Sequence, residues 1–496
     1  MPGPVLKQDR SVITLTAQEI CQACSGELIA GAGSLPVGSV ATDTRGELEG
    51  SLFVALKGEH FDGGDFVEQA LDKGAVGVVA EADAARRLAA GLTGSDSGPV
   101  VIAVDDAGEA LKKIASQVVS RSSARIVAIT GSTGKTSTKD ILYGLLKPNL
   151  KTVAGRASFN NEVGVPLTLL AADDDTQVIV VEMGMRTPGD IRELCAIAAP
   201  DIAIITNIGP AHLEFAGSLE EIARGKAEIA GGLKPGGALI VPFGDEWLGP
   251  HLKGLDVEIF TFGFDPLADV HPVGEAYLED GRLAANISSF GAEVEVRFGF
   301  AALHHLLNAM AALTACHLLG LPLEAAATAT ANVQPPGMRG EMVALPGGGL
   351  LINDCYNANP LSMKSALEYL AAAGVGKRKV AILGDMAELG SRSEDYHREI
   401  GRLAQDLGIE CLVAVGELAA NYLAAGEGKG GMEGHYFADL TAALAGVGSL
   451  LEPGDVVLVK ASRFMQLEEI SRMLTENSGG QPDGNPPDGN QPDGSS

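Results

Sequence analysis

Arg125-Ile-Val-Ala-Ile-Thr-Gly-Ser-Thr-Gly-Lys-Thr136 joins an apolar run of strand length to a glycine-rich turn, and residues of helical composition follow to about Leu146. The backbone N–H groups of such a turn converge on phosphate oxygens, and the N-terminus of the following helix adds partial positive charge. Lys135 would then bind the terminal phosphates of a nucleotide, and the Thr136 hydroxyl would bind Mg²⁺. The general P-loop pattern GxxxxGK[ST] would put its first glycine where this chain has Ile129, so the spacing is a variant of that motif.

The composition excludes several classes of protein. The 496 residues are 46% hydrophobic and 20% charged, which is globular composition for about three domains of roughly 150 residues. The 36 basic and 64 acidic side chains give a formal net charge of −28, which disfavours binding to nucleic acid or to an anionic membrane surface. Met1–Arg10 has no apolar core behind a basic head, so we expect neither a signal peptide nor membrane insertion.

The six cysteines indicate a reducing compartment. Most of them are scattered singly, which favours small apolar core residues over a disulfide framework. Cys21 and Cys24 form a CxxC, but no second pair completes a zinc site, so we interpret both as core residues of a short helix from Ala17 to Ala23. We therefore expect a cytoplasmic protein.

Short β-branched runs alternate with stretches of helical length along most of the chain, which predicts an α/β fold with parallel sheets. The clearest runs are 125–130, 178–182, 202–206, 379–383, 411–415 and 455–459. We predict an N-terminal domain over 1–105, a central domain over 106–335 and a C-terminal domain over 336–477. Residues 478–496 repeat Pro-Asp-Gly and carry no apolar side chain, so we predict a disordered tail.

Polar side chains end two of these runs. Val178-Ile-Val-Val-Glu182 delivers a carboxylate to the carboxyl edge of a parallel sheet, where ligands of α/β proteins bind. The next run is followed by Thr206-Asn-Ile-Gly-Pro-Ala-His212, so His212 could join Glu182 on a cation.

These segments together resemble the Mur ligases, ATP-dependent enzymes that form amide bonds in peptidoglycan precursors. The resemblance rests on 130–136, Asn160-Asn161-Glu162, Glu182-Met-Gly184, 206–212 and Lys226-Ala-Glu228-Ile229, and it covers the chain except for the tail. It implies three domains: an N-terminal α/β domain that binds the UDP-sugar substrate, a central P-loop ATPase-like domain with a parallel sheet, and a C-terminal Rossmann-like domain. Asp354-Cys-Tyr-Asn-Ala-Asn-Pro360, 383–390 and 454–463 are most similar to members that join D-alanyl-D-alanine to UDP-N-acetylmuramoyl-tripeptide through an acyl phosphate.

The resemblance also implies roles for residues of the central domain. Thr136 and Glu182 would hold one Mg²⁺, and His212 would hold a second together with Lys226, which family members carry as a carbamate. Lys135 would act at the β and γ phosphates and Asn161 near the γ phosphate. Asn308 would face adenine, although Ala302 stands where the family has glycine. The implied ATP-binding set is Gly131, Ser132, Thr133, Gly134, Lys135, Thr136, Ser137, Asn161, Asn308, Arg339 and Asp354.

Other roles fall in the outer domains. Arg339 would reach the ATP phosphates as a catalytic residue, and Asp354 would hold the ribose. Asp43, Thr44 and Arg45 would bind the UDP substrate. Asn357, Asn359, Lys460 and Ser462 would meet the dipeptide. A monomer is the family expectation.

Three other interpretations remain open on the sequence. The chain could be another ligase of the same fold, either an earlier Mur enzyme or a folate polyglutamate ligase, although the YNANP segment argues against both. It could be a kinase or GTPase switch, but we find no NKxD-type element for guanine. A catalytically silent UDP-sugar-binding protein would leave the phosphate turn, Glu182, His212 and Lys226 unexplained.

Overall fold

A computed structural model describes residues 14–58, 61–92, 98–279, 282–300, 302–333, 337–424 and 431–476. The proposed tail, residues 478–496, lies outside these ranges. Two compact units are present, Met1–Pro336 with Glu388–Ser391, and Gly337–Ala387 with Arg392–Ser496. Among the helices in the described ranges, none is both long and apolar enough to cross a membrane.

The first unit contains seventeen strands and twelve α-helices within the described residues. The strands are Leu15–Thr16 (β1), Glu27–Ala30 (β2), Pro36–Val37 (β3), Val40–Ala41 (β4), Leu52–Val54 (β5), Gly77–Glu81 (β6), Val100–Val104 (β7), Arg125–Thr130 (β8), Thr152–Ala154 (β9), Val178–Glu182 (β10), Ile202–Ile205 (β11), Ala238–Pro242 (β12), Glu258–Phe262 (β13), Val270–Pro272 (β14), Tyr277–Glu279 (β15), Arg282–Ser289 (β16) and Ala292–Arg297 (β17). The helices are Ala17–Ala23 (α1), Val67–Asp72 (α2), Ala82–Gly91 (α3), Ala107–Arg121 (α4), Lys135–Leu146 (α5), Gly164–Leu169 (α6), Asp190–Ile197 (α7), Leu213–Ala216 (α8), Leu219–Gly231 (α9), Gly249–Leu252 (α10), His304–Leu318 (α11) and Leu323–Thr330 (α12).

The large sheet of the first unit positions the phosphate turn. Its order is β15-β16-β14-β13-β12-β11-β8-β10-β9, with β17 paired to β16. Strand β8 is parallel to β10 on one side and to β11 on the other. The chain runs from β8 to β9 on the side of β10 and from β11 to β12 on the opposite side, so its direction of winding reverses between β8 and β11. In such a sheet the ligand crevice lies at the carboxyl ends of the strands beside this switch point.

The edge of this sheet differs from the parallel sheet that the sequence predicts. Strands β16 and β17 are an antiparallel hairpin in which Ser289 pairs with Ala292, so the loop is Phe290-Gly291. Both loop residues have positive φ, 51° and 82°, which suits a tight two-residue hairpin turn. The predicted runs 125–130, 178–182 and 202–206 therefore correspond to the parallel strands β8, β10 and β11, whereas this edge, where strands follow one another without helices, was not predicted.

Apolar layers cover both faces of β8. Ile126 and Ala128 face one buried cluster, which also contains residues of α4, α7 and α9. Val127 and Ile129 face another, which contains residues of α5 and α11. Burial on both faces explains why β8 is a continuous apolar run rather than an alternating one.

A smaller five-stranded sheet, β2-β7-β6-β5-β4, precedes the large one. Strands β4 to β7 are parallel, whereas β2 is antiparallel to β7. The two-residue strands β1 and β3 form a separate antiparallel pair.

The second unit is built on one six-stranded sheet with the order β18-β19-β23-β20-β21-β22. Its strands are Glu341–Ala344 (β18), Leu350–Asn353 (β19), Lys379–Gly384 (β20), Cys411–Val415 (β21), Glu433–Phe437 (β22) and Val456–Lys460 (β23). Its helices are Pro360–Ala373 (α13), Ser393–Asp406 (α14), Ala420–Leu423 (α15), Leu440–Gly446 (α16) and Glu468–Glu476 (α17). Neighbouring strands of this sheet are parallel except for the antiparallel pair β18–β19 at its edge.

All six cysteines are buried, and none forms a disulfide. Burial also raises the pKa of Cys195 and Cys355 to about 12 each. Thiols of this kind are inert core groups, which confirms their interpretation as apolar packing residues.

Candidate active site

The turn after β8 requires glycine at two positions. Gly131 has φ 149° and Gly134 has φ 78°. A Cβ on Gly131 would collide with the Thr206 hydroxyl, and one on Gly134 would collide with the Asn308 amide. The turn is therefore packed against β11 and α11, and only glycine fits both positions.

Side chains from the segment after β11 fix the rest of the turn. Ser132 Oγ donates to the Gly209 carbonyl at 2.8 Å and accepts from the Gly209 N–H at 2.9 Å. Asn207 accepts from the Thr133 N–H at 2.9 Å and donates to the Thr133 hydroxyl at 2.8 Å. The segment Thr206-Asn-Ile-Gly209 therefore supports the phosphate turn, a role that the sequence did not indicate.

Helix α5 begins directly at Lys135. Gly134 is its N-cap, and the Lys135 ammonium donates to the Gly131 carbonyl at 2.8 Å. Ser137 follows in the first turn and is buried. A glycine turn, a helix N-terminus and a lysine at one place form an anion site of the kind that binds nucleotide phosphates.

Thr136 and Glu182, the predicted ligands of one Mg²⁺, lie in direct contact. The Thr136 hydroxyl donates to Glu182 Oε2 at 2.8 Å, and the Asn160 amide donates to Glu182 Oε1 at 2.8 Å. Glu182 is only 2% exposed, and these two partners are neutral. A buried carboxylate beside a hydroxyl is a hard oxygen donor pair, which fits Mg²⁺.

His212 is held in a defined orientation. Its backbone has a positive φ of 56°, and Nδ1 lies 2.5 Å from Glu388 Oε2. Glu388 also pairs with Arg186 at 3.2 Å, within the same compact unit. Burial and the nearby Lys135 ammonium lower the pKa of His212. A neutral imidazole with Nδ1 bonded to a carboxylate leaves Nε2 as the ligand atom, an arrangement typical of metal-binding histidines.

Lys226 lies on α9 and is 1% exposed. The pKa of Lys226 is lowered well below the usual value for a lysine, mainly because the side chain is buried and secondly because the charge of Lys135 is near. Across the residues that the structure describes, we find no hydrogen bond from its Nζ. Surroundings of this kind favour the neutral amine of a lysine over its ammonium form.

Asn161 and Asn308 border the same turn. Asn161 Oδ1 accepts from the Gly164 N–H at 2.9 Å, so this oxygen caps α6. Asn308 is 7% exposed and packs against Gly134. Asn308 is thus placed beside the phosphate turn, while the oxygen of Asn161 already has a structural partner.

The predicted UDP-binding turn, residues 43–45, follows strand β4 of the five-stranded sheet in the first unit. Arg45 makes an exposed ion pair with Asp43 at 2.7 Å, and its hydrogen bonds hold the pKa of that carboxyl below its usual value. The Thr44 hydroxyl donates to Gln69 at 2.9 Å, and Lys73 donates to the Thr44 carbonyl at 2.6 Å. The turn is anchored at its centre and presents charged side chains on either side.

The second unit brings another group of predicted residues together. Lys460 is 2% exposed, and its ammonium donates to Asp354 Oδ2 at 2.7 Å and to the Asn357 carbonyl at 2.9 Å. The Arg339 guanidinium lies over the Tyr356 ring, 4.1 Å from its centroid. Lys460 therefore fixes the segment that carries Asp354 and Asn357.

Asn359 and Ser462 have structural partners in this unit. Asn359 is the N-cap of α13 and forms a capping box with Ser362. Ser462 is 2% exposed, accepts from the Ala387 N–H at 2.9 Å and donates to the Ala358 carbonyl at 3.4 Å. Their predicted contact with the dipeptide stays a prediction.

Together, the phosphate turn and the oxygen ligands at the carboxyl ends of β8 and β10 define a nucleotide-dependent α/β enzyme. Family models match three parts of the chain: "Mur ligase family, catalytic domain" over 36–119, "Mur ligase middle domain" over 129–316 and "Mur ligase, glutamate ligase domain" over 338–463. The chain belongs to the Mur ligase family, and it is an ATP-dependent ligase.

Named relatives agree with this assignment. The chain is 36% identical over 446 residues to the UDP-N-acetylmuramoyl-tripeptide–D-alanyl-D-alanine ligase of Bacillus subtilis, an alignment that covers 88% of this chain and 93% of the relative. It is similar in structure to MurF from Acinetobacter baumannii, with a TM-score of 0.82, 30% identity and coverage of 94% and 100%. It is also similar to MurF ligase from Thermotoga maritima in complex with ADP, with a TM-score of 0.74, 29% identity and coverage of 88% and 96%.

Proposed function

We propose that this enzyme joins D-alanyl-D-alanine to the terminal carboxylate of UDP-N-acetylmuramoyl-tripeptide at the expense of ATP. The product is the UDP-MurNAc-pentapeptide precursor of peptidoglycan. One observation carries the proposal: a phosphate turn, a buried hydroxyl–carboxylate pair and a buried amine occur together in a chain that aligns along most of its length with ligases of that name.

The chemistry requires activation of the carboxylate, since a carboxylate carbon is a weak electrophile and hydroxide is a poor leaving group. Transfer of the γ-phosphoryl group from ATP to the carboxylate gives an acyl phosphate. The amine of D-alanyl-D-alanine then attacks the acyl carbon, loses a proton, and phosphate leaves as the amide forms. The N–H groups of the turn at Gly131–Thr136 hold the phosphates during this transfer. The Lys135 ammonium stabilises the negative charge that develops on them.

Two Mg²⁺ ions fit the ligand groups of the first unit. Thr136 and Glu182 would hold one, and His212 with Lys226 would hold the other. When bound, the ions offset repulsion between the two anionic substrates. The hydrogen bonds from Asn160 to Glu182 and between Glu388 and His212 orient ligand atoms before any ion arrives.

Lys226 acts in this scheme as a carbamate. A buried neutral amine adds to CO₂ and loses a proton, and the product is an anion. The change converts a neutral amine into an anion that is attracted by Lys135 and that supplies oxygen ligands. The low pKa of Lys226, which burial and Lys135 produce, supports this modification.

We assign the outer residues as follows. Asp43, Thr44 and Arg45 bind the UDP part of the tripeptide substrate, Asp354 binds the ribose of ATP, and Arg339 binds its phosphates. Asn357, Asn359, Lys460 and Ser462 form the dipeptide site. Because the Lys460 ammonium is already bonded to Asp354, Lys460 serves this site by fixing the loop at 354–359.

We also propose that the enzyme works in the cytoplasm, where ATP and UDP-linked precursors are made, and that it is a monomer.

Phosphate release from ATP by the purified enzyme tests the function. We expect release only when UDP-N-acetylmuramoyl-tripeptide and D-alanyl-D-alanine are both present, with one pentapeptide formed per phosphate. Replacing the dipeptide by L-glutamate should stop the reaction, which excludes the folate polyglutamate ligase alternative. Phosphate release with L-glutamate but not with the dipeptide would contradict the proposal.

A further inference from the structure

Lys139 is a buried lysine to which the reaction scheme gives no role. It lies on α5, one helical turn after Lys135, and is 1% exposed. Its ammonium donates to the Gly155 carbonyl and to the Ala157 carbonyl, each at 2.6 Å, and lies 3.2 Å from Asp140 Oδ1. Two backbone carbonyls therefore accept hydrogen bonds from this ammonium, and a carboxylate forms an ion pair with it.

Two of these acceptors belong to one segment, residues 155–161, which we call the 155–161 loop. It follows strand β9, and its first residue, Gly155, is bonded to Val180 of β10 at 3.2 Å. Ala157 has a positive φ of 45°, a conformation that is uncommon for residues other than glycine. The hydrogen bond from Lys139 therefore goes to the carbonyl of the residue whose backbone conformation is unfavourable in this loop.

The same loop reaches both proposed ligands of the first Mg²⁺. Ser158 Oγ lies 3.4 Å from Thr136 Oγ1. Asn160 donates to Glu182 Oε1 at 2.8 Å, and its carbonyl accepts from the Gly184 N–H at 2.7 Å. The loop is thus bonded at one end to α5 through Lys139 and at the other end to the carboxylate at the end of β10.

We propose that Lys139 is a positioning residue for the Thr136–Glu182 ligand pair: it fixes the 155–161 loop on α5, and the loop in turn orients the hydroxyl and the carboxylate. The inference deepens the proposed function and rests on it. A compact cationic head on a long apolar stem suits this place, because both of its hydrogen bonds go to backbone carbonyls that lie close together.

Lys139→Met tests the inference, since methionine keeps much of the length and volume of the stem and removes all three donors. Lys147→Met is the matched control, because Lys147 follows α5 directly and is exposed. We would measure the binding of Mn²⁺ to the full-length enzyme by electron paramagnetic resonance with ADP present, and ADP binding separately in EDTA. Hydrogen–deuterium exchange over 155–164 gives a readout that does not depend on activity.

For Lys139→Met we expect Mn²⁺ binding weakened about tenfold, faster exchange in the 155–161 loop, and unchanged ADP affinity in EDTA. Lys147→Met should match the wild type in all three. Asn160→Ala cuts the bond from the loop to Glu182 while leaving Lys139 in place, and it should weaken Mn²⁺ binding in the same direction. If Lys139→Met does not fold, Mn²⁺ binding by Asn160→Ala tests whether the loop orients the ligand pair.

Wild-type Mn²⁺ affinity in a folded Lys139→Met protein, or in Asn160→Ala, would overturn the inference and leave the proposed function intact. A wild-type enzyme that binds no Mn²⁺ in the presence of ADP would overturn the proposed function and the inference together.

Discussion

Helices α5 and α9 each bury a lysine in the first unit, and the two lysines are equally inaccessible to water at 1% exposure. Lys139 on α5 donates two hydrogen bonds and forms an ion pair with Asp140, whereas we find no hydrogen bond or ion pair for Lys226 on α9 within the described part of the chain. Burial and the Lys135 charge lower the pKa of Lys226 far below the usual value for lysine. Burial alone therefore does not set the chemistry of a lysine. Its hydrogen-bond partners decide whether it is a structural cation or a reactive amine.

The largest effect should follow from removing the reactive amine. We expect Lys226→Ala to reduce turnover at least about a hundredfold, because it removes a ligand from the charge-stabilising site. Nucleotide binding should remain measurable, since the carbamate serves the chemistry more than the affinity for nucleotide. Turnover by phosphate release and ADP binding by calorimetry check the two parts. Lys113→Ala, at an exposed position of α4, is the control. Unchanged turnover in Lys226→Ala would remove this lysine from the mechanism.

The second largest effect should follow from removing the charge of Glu182, the carboxylate of the proposed Mg²⁺ ligand pair. Glu182→Gln keeps the shape of the side chain but removes its charge, so we expect turnover to fall roughly tenfold to a hundredfold and the Mg²⁺ concentration needed for half-maximal rate to rise. Titration of the rate with Mg²⁺ measures both. Glu220→Gln, on the exposed face of α9, should behave as the wild type. An unchanged Mg²⁺ dependence in Glu182→Gln would show that the ion has other ligands.

Stability measurements would sharpen the comparison between the two lysines. Lys139→Met leaves the buried Gly155 carbonyl without its donor, so we expect the protein to lose about 2 kcal/mol of unfolding free energy. Lys226→Met replaces an amine for which the described residues offer no hydrogen-bond partner by an apolar group, and it should be neutral or stabilising by about 1 kcal/mol. Differential scanning calorimetry of both variants without ligand checks the opposite signs. Equal losses in the two variants would contradict the distinction.

The smallest effect should come from the C-terminal repeat. Truncation after Asn477 removes residues with no apolar side chain to bury, so activity and melting temperature should stay within about a factor of two and roughly 1 °C of the full-length values. Phosphate release and thermal unfolding of the truncated chain measure these. A large loss of activity would show that the tail has a partner or packs on the body.

Much of the site could be predicted from the sequence because its residues follow strands that are buried on both faces. β8 and β10 are continuous apolar runs, so the positions of Gly131 and Glu182 at the carboxyl edge follow from the pattern. Helix α5 ends at Leu146, as the sequence predicts. The antiparallel hairpin β16–β17 was not predicted, because β16 does not alternate regularly in polarity and the turn is marked only by Phe290-Gly291.

The remaining contacts could not be predicted for a physical reason. The acceptors of Lys139 are backbone carbonyls, which carry no side-chain signature. The partner of His212 is Glu388, 176 positions away in the chain. Asn207 supports the phosphate turn through its amide, and an amide at the end of a strand has many other uses. These contacts depend on tertiary structure, so a single sequence could suggest them only by family resemblance.

The location of the nucleotide tests the central claim most directly. A crystal structure of the full chain with a non-hydrolysable ATP analogue and Mg²⁺ should show the phosphates in the turn at Gly131–Thr136, with a metal ion on Thr136 and Glu182. Density for the analogue in any other cleft, with this turn empty, would contradict the account.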